Sequence, residues 1–139
     1  MDRLARAPRF AFGIGCDRGT PAATIRDLVA EGLRQLAALP AQVVGVASID
    51  LKADEAGLQE AAAGFGWPLT FYPAARLAVI PVPNPSPTVL RHTGTPSVAE
   101  AAALALAVTD MSQLVIEKLR RRGADGRNAT LSAARLPSG

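Results

Sequence analysis

The 139-residue sequence predicts a three-layer α/β/α fold, with a mixed, largely parallel sheet and an antiparallel hairpin at its C-terminal end. Three observations predict it. Short apolar runs at residues 10–15, 42–49 and 69–72 alternate with stretches of helical periodicity, the pattern of β–α–β units. The run at 42–49 is β-branched and almost wholly apolar, as a strand covered on both faces requires. Two further runs, 113–119 and 128–136, flank a loop at 120–127 that contains Gly123 and Asp125-Gly126, the composition of a hairpin connection.

The elements follow in order. Phe10-Ala11-Phe12-Gly13-Ile14-Gly15 alternates large with small side chains, as a strand with one tightly covered face does. Thr20-Pro21 pairs a cap residue with proline at the first helical position. Ile25, Leu28, Val29, Leu33 and Leu36 then recur at helical spacing, so a helix is expected over 21–38, closed by Pro40. After the strand at 42–49 comes a polar loop, 50–55, and an alanine-rich helix over 55–63 that stops at Gly64 or Gly66. A third strand, 69–72, is followed by a short helix over 73–78 entered through Pro73. Ser86-Pro87 repeats the cap-plus-proline device, and Gly94 ends that helix in a left-handed turn. Ser97 with Glu100 three residues on reads as a capping box opening a helix that continues through 108. Within the strand at 113–119, Glu117 and Lys118 are expected to point to opposite faces.

Composition bounds the function classes. One domain over residues 1–139, with 49% hydrophobic and 19% charged residues, is long enough to bury a core. No apolar run is long enough for a membrane helix, and Met1 to Arg9 is not followed by the apolar stretch of a signal peptide. A cytoplasmic location is therefore expected. A single cysteine excludes an internal disulfide, and a single histidine beside it argues against a zinc site made of protein ligands alone, so no metal and no cofactor are expected. No Walker sequence occurs, and Gly13-Ile14-Gly15 does not go on to complete a dinucleotide fingerprint.

The net charge of +3 is unevenly placed: residues 1–117 carry 9 Lys+Arg and 11 Asp+Glu, whereas residues 118–139 carry 6 Lys+Arg against Asp125 alone. The excess centres on Arg120-Arg121-Arg122, with Arg127 beyond. With aromatics at 4%, a nucleic-acid stacking platform is not expected, and the cluster reads as a solvated basic turn distant from the site.

Ligands of open α/β sheets bind at the carboxyl ends of the strands, where helix N-termini also lie. That rule places Arg18, Gly19 and Thr20, then Ser48, Asp50 and Lys52, then Asn84 and Ser86, along one rim, with Ser97 nearby. Two cations, an amide, hydroxyls and helix-end N–H groups suit a ligand with many carboxylates. Asp50 with Lys52 is the pair with the chemistry for general acid–base work. Cys16 reads as a small buried residue rather than a nucleophile, and His92 as a surface residue.

The stretch Pro-Asn-Pro-Ser-Pro-Thr-Val-Leu-Arg-His-Thr-Gly-Thr-Pro-Ser-Val-Ala-Glu-Ala-Ala-Ala-Leu at 83–104 resembles the C-terminal domain family of cobalamin (vitamin B12) biosynthesis proteins, the CobE/CbiG family. Residues 13–20, 47–55 and 114–118 agree with it in order and spacing. The resemblance implies a three-layer α/β domain and a carboxylate-rich corrin or precorrin intermediate as the ligand, with other enzymes of the pathway as further partners. In the longer members this domain follows additional N-terminal regions, and the whole protein opens a cobalt-precorrin-5A lactone and releases acetaldehyde. This sequence is similar to the C-terminal domain alone, as in stand-alone CobE. Assisted lactone hydrolysis and the binding or handing-on of an intermediate both stay open, as does the formation of a homo-oligomer. The reading from a different class is a small basic module that binds RNA or an acidic protein through residues 120–127.

Overall fold

Alternation of large and small side chains along the first strand decides how the molecule is layered. The structure, a computed structural model, describes residues 7–137; residues 1–6, part of the stretch read above for a signal peptide, lie outside the described residues. The chain runs β1 (Phe10–Cys16), α1 (Ala22–Leu36), β2 (Val43–Ile49), α2 (Ala56–Phe65), β3 (Leu69–Tyr72), α3 (Ala74–Ala78), α4 (Pro87–Thr93), α5 (Val98–Ala107), β4 (Leu114–Arg122) and β5 (Asn128–Arg135). Single 3-10 turns occupy Pro40–Gln42, Asp50–Lys52 and Met111–Gln113. The strands form one sheet in the order β3-β2-β1-β5-β4. β1, β2 and β3 are mutually parallel, while β5 runs antiparallel to both β1 and β4. The expected mixed sheet with its terminal hairpin is what the chain forms.

Phe10, Phe12 and Ile14 face α1 and α2, in a core with Ile25, Leu28, Leu58, Trp67 and Leu131. The other face of β1 is Ala11, Gly13 and Gly15, and it takes α5. A methyl group on Gly13 would lie 2.0 Å from the Ala99 carbonyl oxygen and 2.6 Å from the Ala103 nitrogen, both backbone atoms. The close approach is possible because α5 is itself nearly all alanine, with Ala101, Ala102 and Ala103 fully buried. Small residues on strand and helix together draw the first turn of α5 against the end of β1, and this contact fixes where that helix begins.

Four local expectations are corrected. Helix α1 stops at Leu36 because Ala37 turns left-handed, φ 50°, before Pro40 is reached. Thr20 does not cap α1: Pro21 holds the cap position, and the Thr20 hydroxyl donates to the Asp17 carbonyl at 2.7 Å. The capping box at Ser97 and Glu100 does not form. No backbone N–H reaches the Ser97 side chain, and the buried Glu100 carboxylate instead accepts from Asn84 Nδ2 at 2.7 Å. The cap at Ser86 is present, with Val89 N–H donating to its Oγ at 3.2 Å, and Gly94 ends α4 with φ 81°.

The fourth correction concerns β4. The strand continues to Arg122 rather than ending at 119, since β5 supplies Thr130, Ala129 and Asn128 as partners for Arg120, Arg121 and Arg122. It is an edge strand, where charged side chains are tolerated because one long side is open to water. Between Ile116 and Leu119 three steps on β4 match two on β5, from Ala133 to Leu131, so one residue is extra. The bulge puts Ile116 and Leu119 both on the α1 side and leaves Glu117 and Lys118 together on the other, against the expected alternation. Ser132 stabilises it by donating to the Glu117 carbonyl at 2.6 Å.

Candidate functional site

β1, β2 and β4 all end at the same edge of the sheet, because β4 and β1 are each antiparallel to β5. At that edge the strand ends, the first turn of α5 and one side of α4 enclose a cavity of about 600 Å³, within the range of small-molecule sites. Its floor is apolar and small: Gly15, Val98 and Ala99, with Val89 at the side. Its charged wall carries Arg18, Lys52, Lys118 and Arg120 against the single carboxylate of Asp17. Thr88, His92 and Thr93 of α4 and Asn128 and Thr130 of β5 add polar groups.

Of the residues expected at the rim, Arg18, Lys52 and Ser97 line this cavity. Arg18 is partly engaged already. Its Nη1 lies 2.7 Å from Asp54 Oδ1 and 3.2 Å from Glu55 Oε2, and Nη2 donates to the Leu51 carbonyl at 3.0 Å. That hydrogen bond from Arg18 holds the exposed Asp54 carboxyl below its ordinary range. Lys52 has no salt-bridge partner among the described residues and stands at the end of the Asp50–Lys52 turn.

The others are placed elsewhere. Gly19 spends its N–H on Glu55 Oε1 at 2.9 Å, and Thr20 is buried behind it. Ser48 is fully buried in β2, its hydroxyl donating to the Ile14 carbonyl at 2.6 Å. Asp50 is exposed and outside the cavity, so Asp50 and Lys52 do not form a facing pair there. Asn84 and Ser86 line a neighbouring hollow that shares Lys118 and Arg120 with the cavity. Asn84 Nδ2 bridges two carboxylates, Glu100 at 2.7 Å and Glu117 at 3.0 Å, and so ties the 79–97 segment to α5 and β4.

The basic cluster is not a distant turn. The strand divides it: Arg120 faces the cavity, while Arg121 points to the α1 face, 3.4 Å from Asp27. Three cavity residues carry no rim signal in the sequence: a strand ending at 119 leaves Arg120 in a loop, simple alternation does not tell which face Lys118 takes, and Asn128 opens β5; the strand to Arg122 puts positions 118 and 120 on one face at a strand end. Cys16 lines the cavity with its thiol pushed up to about 11 by burial. It is therefore protonated at neutral pH and a poor nucleophile. His92, read as surface, is exposed yet forms part of the wall. Among the described residues no group of three or more His, Cys, Asp or Glu is placed to hold a metal ion, and no helix is long and apolar enough to cross a membrane.

Comparison with known proteins gives a consistent result. Residues 10–134 match the family model described as Cobalamin synthesis G C-terminus. The chain is 36% identical over 134 residues to a cobalt-precorrin-5A hydrolase of Priestia megaterium, a match that covers 96% of this chain and 34% of that protein, so the chain spans about a third of its length. It is 37% identical over 110 residues to Protein CobE of a Sinorhizobium species, covering 78% of this chain and 71% of that one. Among solved structures, CobE from the cobalamin (vitamin B12) biosynthetic pathway superposes with a TM-score of 0.80 at 34% identity, over 94% of this chain and 96% of that chain. A cobalamin biosynthesis protein, chiG, from Agrobacterium tumefaciens matches with a TM-score of 0.61 at 29% identity, over 94% of this chain and 99% of that chain.

Proposed function

Because this chain belongs to the cobalamin synthesis G C-terminal family, a family of cobalamin biosynthesis, we propose that its cavity binds a carboxylate-rich corrin or precorrin intermediate. The observation that carries the reading is the pairing of an apolar floor with four cations and one carboxylate on the surrounding walls. In this reading the flat macrocycle lies on the apolar floor, and acetate and propionate arms at its edge meet Arg18, Lys52, Lys118 and Arg120. Binding and handing-on to another enzyme of the pathway is favoured over lactone hydrolysis. Asp50 stands outside the cavity, which removes the expected acid–base partner of Lys52, and Cys16 keeps its proton. The reading as an RNA- or acidic-protein-binding module loses support, because Arg120 and Arg121 serve different faces of the sheet.

The test is an absorbance titration with cobyrinic acid, a corrin with free carboxylate arms, and with its full methyl ester. The acid is expected to bind and the ester to bind at least tenfold more weakly. Absence of binding by the acid, or equal binding by the ester, refutes the reading.

A further inference from the structure

Helix α5 begins inside the cavity. Ser97, Val98 and Ala99 all line it, and the 10-residue helix leaves its first N–H groups without intrahelical acceptors. The usual remedy is the cap side chain, and here it is not applied: no N–H of the first turn reaches Ser97. Ser97 as a residue is 2% exposed, and its Oγ is buried with no hydrogen-bond partner among the described residues. Glu100 sits in the same first turn, but its Oε2 accepts from Asn84 and its Oε1 is buried without a partner, so its carboxylate caps no N–H of the helix end. A set of backbone donors and an unpaired hydroxyl thus stand together, unserved by the protein, at the wall of a cavity rich in cations. Buried polar groups without partners are rare and costly, and a ligand is one way of satisfying them.

We propose that the N-terminus of α5 and the Ser97 hydroxyl form a carboxylate subsite, which takes one arm of the bound molecule while the surrounding cations take others. This rests on the reading of the cavity as a polycarboxylate site. A carboxylate has the lone pairs to accept from both the hydroxyl and the free N–H groups, and the helix end favours negative charge there. Gly13 lets α5 pack directly against β1, which brings the first turn of the helix to the cavity. Because the hydroxyl caps nothing, Ser97 is assigned to ligand binding and not to helix stability.

The test uses two probes on the full chain. In an NMR titration with glutarate, the Val98, Ala99 and Glu100 amides are expected to shift, and Ser97→Ala is expected to reduce the affinity about tenfold with an unchanged or higher melting temperature. Ser97→Asp, which places a carboxylate in the subsite, is expected to raise the melting temperature and abolish those shifts. The same variants are then titrated with cobyrinic acid. If glutarate leaves the three amides unmoved, or Ser97→Ala binds both probes as the parent does, or loses stability in proportion to binding, the subsite is refuted. If glutarate shifts these amides and cobyrinic acid does not bind, the subsite stands and the corrin reading falls.

Discussion

Arg120 and Arg121 are neighbours in sequence and carry the same charge, yet they should differ sharply as binding residues. Arg120 lines the cavity; Arg121 faces α1 and lies 3.4 Å from Asp27. Replacing Arg120 by alanine should remove the charged hydrogen bond proposed between it and a ligand carboxylate, worth about 1.5–3 kcal/mol, or about ten- to a hundredfold in Kd. Replacing Arg121 acts only through space. Side chains on opposite faces of a strand set the two guanidinium groups roughly 10 Å apart or more, where two charges interact by about 0.4 kcal/mol in water. Screening over a length of about 8 Å at physiological salt reduces this to about 0.1 kcal/mol, less than a 1.5-fold change in Kd. Asp27, next to Arg121, lowers it further. Calorimetric titration of both variants with cobyrinic acid at physiological salt measures the contrast. Arg121→Ala should also cost less than about 1 kcal/mol of stability, as an exposed pair does. Equal weakening by the two substitutions would mean diffuse attraction to the basic edge, and the localised site would be refuted.

Three further outcomes are expected. Cys16, with its folded pKa raised from an ordinary 9.0 to about 11 by burial, should react with iodoacetamide near pH 8 about a hundredfold more slowly than a free thiol. The folded state holds that proton more tightly, so the thiol's contribution is fully present below pH 9 and is lost as pH rises to about 11; Cys16→Ala should flatten the stability profile in that window by about 2–3 kcal/mol, and an unchanged slope would contradict the burial argument. Asn84→Ala leaves both oxygens of the fully buried Glu100 without a partner, so chemical denaturation should show a loss of about 1–3 kcal/mol; a neutral result would show that the carboxylate finds another donor. Gly13→Ala drives a methyl group into the backbone of α5 and should cost at the upper end of about 1–3 kcal/mol or more, whereas Gly64→Ala, with open space at its Cβ, should be neutral or stabilising in a thermal melt.

Much of the architecture was legible in the chain because the signals are local. The alternation of Phe10, Phe12 and Ile14 with Ala11, Gly13 and Gly15 encoded a large-residue layer and a close-packed layer before any partner was known. Ser86-Pro87 and Gly94 marked α4, since cap chemistry depends on residues only a few positions apart. The strand-end rule placed Arg18 and Lys52 in one cavity from strand assignments alone.

The rest was decided by contacts between distant parts of the sequence. Ser97 and Glu100 have the spacing of a capping box, but Asn84, 16 positions from Glu100, competes for the carboxylate and wins. Ser48 looked like a rim residue until its hydroxyl found the carbonyl of Ile14 on the adjacent strand. Lys118 and Arg120 joined the site because β5 extends far enough to pair with Arg122 and because one extra residue at the β4 bulge turns Glu117 and Lys118 to the same side. Sequence by itself determined the elements, their layers and the edge of the sheet where the cavity lies, for these depend on periodicity and turn chemistry within a few residues. Register and the partners of each polar group were settled only by tertiary structure, because a strand's length and a side chain's hydrogen bond are set by whichever distant group satisfies them at least cost.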